Sequence, residues 1–316
     1  MTREEVLNSV QLKKRFCKDC NIPITVFENP YFYERLTALD TIFHCKRQFE
    51  HFCVELTEFN NEQDYFEYYN QVKYNMITDI KNNPAYQQFI NDDEIRLANQ
   101  FSYMKQPIGS RNLYVEENSG KTFISIDMKK ANYSALNFYS KDIFKSDSWE
   151  DYVEKFTGSL HIQRSKYIRQ VVLGACNPKR QIDYEKSLMT KLYLHIKETL
   201  NDDRFEVYSL NTDEIIIEID KCRHPLNLLK DIIASCPSGI GSLVRVEMFD
   251  LERAGLYGWL KVIYDDEHTV KFKCIDAEIF LQVVKHYYNI PITENDLVFW
   301  HNGRLARFLE EVKNPW

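Results

Sequence analysis

The sequence predicts an α+β fold, and three observations carry that expectation. Residues 1 to about 103 place apolar side chains at helical spacing, with long aromatic-rich segments near 31–58 and 62–82. The pattern changes to strand-like alternation after Lys105-Gln-Pro-Ile-Gly-Ser-Arg111, where Pro107 and Gly109 mark a domain boundary. Beyond that boundary the elements run strand, helices, strand, strand, helix, strand. This is the split βαβ (ferredoxin-like) order, in which four antiparallel strands carry helices on one face and leave the other open for a site.

Taken in order, the N-terminal helices are expected to break at Pro23, Pro30 and Pro84, since proline has no N–H to give to a helix interior. A strand is expected over 121–128, then helical segments near 149–156, 160–175 and 181–200. Strands over 204–210 and 214–220 follow, joined by a short turn, then a helix over 225–235 and a strand over 243–250. The tail, 256–316, reads as strands near 258–264 and 269–275, a helix at 277–288 and a short helix after Gly303. The expected organisation is a helical domain over 1–104, an α+β domain with inserted helices over 112–252, and a C-terminal β-hairpin and helix module over 253–316.

With 316 residues, 44% of them hydrophobic, the chain affords the cores of two or three folded domains. No apolar run reaches membrane-spanning length, and Met1-Thr-Arg-Glu-Glu is too charged to open a secretory signal, so the expected setting is intracellular, cytoplasmic or nuclear, with no membrane partner. Eight cysteines without a paired framework are expected to be thiols. Cys17-Lys-Asp-Cys20, with His44, Cys45, His51 and Cys53 downstream, has the donor types of a zinc site. Its spacing matches no standard finger, and Cys45 and Cys53 also suit an amphipathic helix, so zinc and core packing both stay open. A formal charge of −7 argues against strong non-specific binding of nucleic acid. Lys129, Lys130, Lys166, Arg169, Lys179 and Arg180 nevertheless concentrate in one interval, which suits a local basic groove.

That interval is bounded by two acidic motifs. In Lys121-Thr-Phe-Ile-Ser-Ile-Asp-Met128, alternation puts Ile124, Ile126 and Met128 on the core side and Ser125 and Asp127 on the other. In Tyr208-Ser-Leu-Asn-Thr-Asp-Glu-Ile-Ile-Ile-Glu-Ile-Asp220, Asp213 and Glu214 sit at a tight turn between two strands, and Asp213 is expected to be the one facing Asp127. Carboxylates on two adjacent strand ends are the chemistry that holds a pair of divalent metal ions. Between them, in Gln163-Arg-Ser-Lys-Tyr-Ile-Arg-Gln170, the residues Gln163, Lys166, Arg169 and Gln170 share one helical face, and a cationic face there suits a triphosphate. The dispersed histidines form no His-Glu-x-x-His pattern, and neither a nucleophile elbow nor a Walker loop is present, which leaves metalloprotease, hydrolase and P-loop readings without support.

The conjunction resembles the palm of nucleic-acid polymerases. Asn211-Thr-Asp-Glu-Ile-Ile-Ile-Glu-Ile219 is similar to motif C of family A DNA polymerases, with Thr212 in place of the histidine, and Asp127-Met-Lys-Lys-Ala-Asn-Tyr133 looks like the reverse-transcriptase motif A, with Ala131 four residues after the aspartate. The resemblance covers roughly residues 120–250. It implies a palm with small helical fingers, a thumb-like or accessory C-terminal module, and two-metal nucleotidyl transfer onto a 3′-hydroxyl. It makes Asp127 and Asp213 ligands of Mg²⁺ or Mn²⁺, with Glu214 as a third acid. Lys166, Arg169, Gln170, Asn132 and Tyr133 become nucleotide-binding, and Lys129, Lys130, Lys179 and Arg180 become nucleic-acid-binding. The implied partners are nucleoside triphosphates, a primer and template, and a protein subunit. Asn132 stands where such polymerases carry a bulky residue or glutamate that excludes the ribose 2′-hydroxyl, so sugar selectivity stays open. The small size and lack of a proofreading extension suit a viral or phage-like enzyme. Two rivals are weighed beside it: a palm-like module that binds nucleic acid or protein without chemistry, and a nucleotidyl cyclase, whose glycine pair at the turn is missing here.

Overall fold

In the computed structural model of the chain, residues 1–93, 95, 109–200, 206–219 and 226–313 are described. Residues 105–108 of the expected boundary segment, the first residues of the strand expected from 204, Asp220, and the first residue of the helix expected from 225 lie outside the described residues.

Six strands form one sheet: β1 (Thr122–Met128), β2 (Glu206–Leu210), β3 (Glu214–Ile219), β4 (Val244–Arg253), β5 (Trp259–Ile263) and β6 (Val270–Lys273). Their spatial order is β2-β3-β1-β4-β5-β6, and every neighbouring pair is antiparallel. The fold is therefore α+β with a mostly antiparallel sheet. β4 runs to Arg253 and pairs with β5, so the strands expected as a separate C-terminal module continue the main sheet. A second, two-stranded ladder joins β7 (Val298–His301) to β8 (Arg304–Arg307). It stands where a short helix was expected after Gly303. Asn302 and Gly303 both take positive φ, 48° and 78°, which is the backbone a two-residue hairpin turn requires and a helix forbids.

The N-terminal helices are α1 (Arg3–Asn8), α2 (Val10–Cys20), α3 (Tyr31–Ala38), α4 (Asp40–Phe43), α5 (Cys45–Leu56), α6 (Glu62–Asn82) and α7 (Pro84–Asn91). Between β1 and β2 lie α8 (Ala131–Tyr139), α9 (Trp149–Glu154), α10 (Leu160–Arg164), α11 (Lys166–Gly174) and α12 (Pro178–Leu200), and α13 (Leu226–Ala234) and α14 (Phe280–Tyr287) follow β3 and β6. The helix expected over 160–175 is two helices. Ser165 between them is extended, and its hydroxyl accepts the Ile168 N–H to cap the second. No described helix is long and apolar enough to cross a membrane.

Side-chain alternation in β1 divides the sheet into two faces. Ile124, Ile126 and Met128 pack with Ile215, Ile217 and Met248 beneath α12 and α13, which contribute Leu188, Leu192, Leu229 and Ile233. On the other face Phe123, Ile216, Phe249, Trp259 and Ile263 form a smaller cluster closed by Leu113 and Tyr114. That face is thus covered at its centre, and the end bearing Asp127 lies outside this apolar cluster. The N-terminal helices do not form a detached cap. Their core, which includes Phe16, Phe49, Phe52, Tyr69 and Met76, is continuous with Trp149, Ile162, Ile168 and Val172 from the inserted helices and with Phe280 and Val284 of α14.

Gly241, in the short turn before β4, is fixed by contact rather than by backbone conformation. A methyl group built on it would lie 2.0 Å from the Ile233 carbonyl oxygen of α13. Gly241→Ala is expected to destabilise the fold by about 1–3 kcal/mol, the usual cost of overpacking. Urea unfolding of the two proteins measures this, and an unchanged midpoint would show that α13 and the turn can separate freely.

Candidate functional site

The site grows out of the β1–β3 pairing. The register sets Asp127 opposite Glu214 on β3 and opposite Arg245 on β4. Directly opposed residues of an antiparallel pair share a face, so Glu214, and not Asp213 as expected, is the cross-strand neighbour of Asp127. Asp213 lies one residue outside the ladder. Its carbonyl accepts the Met128 N–H at 2.8 Å, and the Asn211 N–H to Glu214 carbonyl bond, also 2.8 Å, closes the turn around it. The three acids therefore gather at one end of the two strands.

Their surroundings differ. Burial raises the Asp127 carboxyl above its ordinary value, the Arg245 guanidinium opposes that shift, and the charge of Glu214 adds to it. Arg245 donates to one Asp127 oxygen from Nε at 2.8 Å and Nη2 at 2.7 Å. Asp213 is raised by burial first and by the Asp127 charge second, a backbone N–H opposes the shift, and among the described residues no side chain donates to its carboxylate. Glu214 is held by the Ser125 hydroxyl, which donates at 2.5 Å, with the Lys261 ammonium 3.6 Å from the same oxygen. Farther along this face Lys271 pairs with Glu247 at 2.7 Å. The carboxylates of Asp127, Asp213 and Glu214 are hard oxygen donors, the type that divalent Mg²⁺ and Mn²⁺ take. Among the described residues, no group of three or more His, Cys, Asp or Glu is arranged to hold a metal ion. The thiols of the Cys17–Cys53 region are core groups: burial pushes Cys20 up to about 12 and Cys45 and Cys53 up to about 11.

The remaining expected residues divide. Lys166 and Gln170 are exposed at the start of α11 and line one cavity. Gln163 is buried on α10 with its amide donating to the Thr157 carbonyl, and Arg169 is half-buried with Nε unpartnered, so neither shares that cavity. Asn132 is half-buried just past β1. Tyr133 is in the core: it packs on Phe144 and Trp149, and its hydroxyl donates to the Ser146 carbonyl. Such a side chain is not free to touch a nucleotide, and its helical position after Ala131 turns it inward. Lys129 and Lys179 are exposed, whereas Lys130 pairs with Glu150, and Arg180 binds the Phe89 and Asp92 carbonyls at the end of α7.

Sequence reasoning missed Glu185. It lies on α12, one turn after Gln181, and is 4% exposed, with one carboxyl oxygen lacking any hydrogen-bond partner. Burial first, and the Asp213 charge second, push it up to about 8. The only signal in the sequence is an acid at an inward position of a helix whose neighbours Leu188, Met189 and Leu192 are apolar. Its titration has a defined sign. Between the unfolded value near 4.5 and about 8, the native state keeps a proton that the unfolded chain has released, so the wild type loses stability as pH rises through that window. Glu185→Gln, which imitates the protonated carboxyl, is expected to match wild type near pH 4.5. At pH 8 in EDTA it is expected to exceed it by on the order of 2–4 kcal/mol. Parallel stability–pH curves for the two proteins would refute this. No protein-family model, curated protein or solved structure matches the chain, so the reading of this site rests on its own residues.

Proposed function

We propose that the chain is a metal-dependent nucleotidyltransferase of the polymerase kind, with β1 to β4 as its palm. The observation that supports this reading best is the gathering of Asp127, Asp213 and Glu214 at one end of β1 and β3, with Asp127 and Glu214 on the face opposite α12 and α13 and Asp213 at the turn beside them. The strand order β4-β1-β3-β2 within the sheet, with helices inserted between β1 and β2, is also that of the split βαβ frame.

In this reading Asp127 and Asp213 hold Mg²⁺ or Mn²⁺, which supplies activation of a primer 3′-hydroxyl and neutralisation of the transferred phosphoryl. Glu214, fixed by Ser125 and Lys261, keeps a third carboxylate beside them. Lys166 and Gln170 receive the phosphates of the incoming nucleotide, and the exposed Lys129 and Lys179 meet a primer–template backbone. Asn132 lies near enough to the end of β1 to touch the sugar, and its short side chain gives little to exclude a 2′-hydroxyl. A non-catalytic, nucleic-acid-binding module is the second reading. Arg245 favours it, because an internal guanidinium already neutralises Asp127.

Primer extension on a templated duplex with Mg²⁺ or Mn²⁺, offering deoxy- and ribonucleotides separately, decides between them. Wild type is expected to extend, and Asp213→Asn to lose at least roughly a hundredfold, since several kcal/mol of transition-state charge stabilisation go with the metal. A wild type that binds the duplex and extends nothing would sink the enzymatic reading and leave the binding module.

A further inference from the structure

A cavity of about 700 Å³ lies between α2, the start of α11 and β6, and its polar wall includes Lys18, Lys166, Tyr167, Gln170, Lys271 and Lys273. Four ammonium groups line it and no carboxylate does, in a chain whose formal charge is −7. Lys166 and Lys273 have no carboxylate within ion-pair distance among the described residues. Lys271 is steadied by Glu247, and it stands directly opposite Lys261 across the β5–β6 ladder, which concentrates positive charge on this side of the sheet. Burial first, and then Lys261 and Lys271, hold the Lys273 ammonium below its ordinary value. Tyr167 forms part of the wall with Lys18 and Arg15 each 4.4 Å from its ring centre. The positive end of the α11 dipole, at Lys166 and Tyr167, adds to the same field.

We infer that this cavity binds a compact polyphosphate through lysines drawn from three separate parts of the chain. On the nucleotidyl-transfer reading above, on which this identification rests, the occupant is the triphosphate of the nucleotide substrate, gripped by β6 as well as by α11. Lys261 ties the two places together, since it stands between this lysine wall and Glu214. A polynucleotide backbone fits less well. The neighbouring cavity that shares Lys166, about 710 Å³, sets Arg47 and Arg164 beside Asp19 and Glu55, so the lining there is of mixed charge and the wall of lysines without carboxylates ends at Lys166. A volume of this order suits a small, highly charged ligand.

The test is isothermal titration of the full chain with inorganic tripolyphosphate in EDTA at low salt, for wild type, Lys273→Met, Lys273→Arg, Lys166→Met and Asp213→Asn. Wild type and Asp213→Asn are expected to bind alike. Each methionine variant is expected to weaken binding at least roughly tenfold, as for loss of a charge-assisted contact, with Lys273→Arg restoring most of it. Methionine variants that bind as wild type does would overturn the site. So would a single-stranded oligonucleotide without a 5′-triphosphate that binds more tightly and depends on the same lysines. A wild type that binds tripolyphosphate in EDTA yet extends no primer would leave the site standing and remove only the nucleotidyl-transfer reading.

Discussion

The pairing of β1 with β3 on one side and β4 on the other is the constraint on which the rest of the structure depends. Its seven residues divide strictly: Ile124, Ile126 and Met128 are needed under α12 and α13, and that requirement fixes the register on both sides. A slip of one residue would drive Ser125 and Asp127 into the helix-covered core and expose the isoleucines. The position of Asp127 beside Glu214 and Arg245 is thus a by-product of hydrophobic burial on the opposite face. The grouping of acids at this sheet end needs no dedicated scaffold beyond the core itself.

Electrostatics at that end are balanced locally rather than globally. Asp127, Glu214 and Glu247 face Arg245, Lys261 and Lys271, each acid having a cation in reach, while Asp213 and Glu185 have none among the described residues. Half-buried carboxylates in such a group raise one another, and the cheapest remedy is a proton or a cation. Glu185, with the deeper burial, takes the proton near neutral pH. Asp213, only half-buried, keeps a carboxylate that no described side chain answers. Arg245 has the opposite effect on its neighbour, because any cation approaching Asp127 must compete with a guanidinium bound through two nitrogens.

The legible parts of the sequence were those with a strict period. Alternation in β1 and β3 gave the strands and their faces, and the acids at their ends gave the candidate site. Three features were illegible for separate physical reasons. The choice between Asp213 and Glu214 depends on where the ladder stops, which is a matter of one hydrogen bond. The fate of Tyr133 depends on α8, a helix whose first residues carry no cap, and on the aromatic partners Phe144 and Trp149 that it finds only in three dimensions. Lys271 and Lys273 share a cavity with residues of α2 and α11, a meeting of distant segments that strand alternation does not encode. The Asn302-Gly303 turn, by contrast, was legible and was misread as a helix start; its dipeptide between aromatic and aliphatic residues is a hairpin signal.

The helical region also has a role in setting the site, through a buried carboxylate. Asp19, fully buried on α2, accepts from Tyr69 of α6 at 2.8 Å, pairs with Arg15 at 2.8 Å, and lies 2.9 Å from His161 Nε2 on α10. A buried charge deprived of one such partner is strongly destabilising, so the three helices are held together by more than apolar packing. α10 ends at Arg164, and the Ser165 cap immediately launches α11. The position of Lys166 relative to β6 is therefore fixed from behind by Asp19, about one helical turn away along the chain from His161. A cationic cavity whose lysines come from distant segments can hold its shape only if those segments are locked, and the Asp19 cluster is the lock on the α11 side.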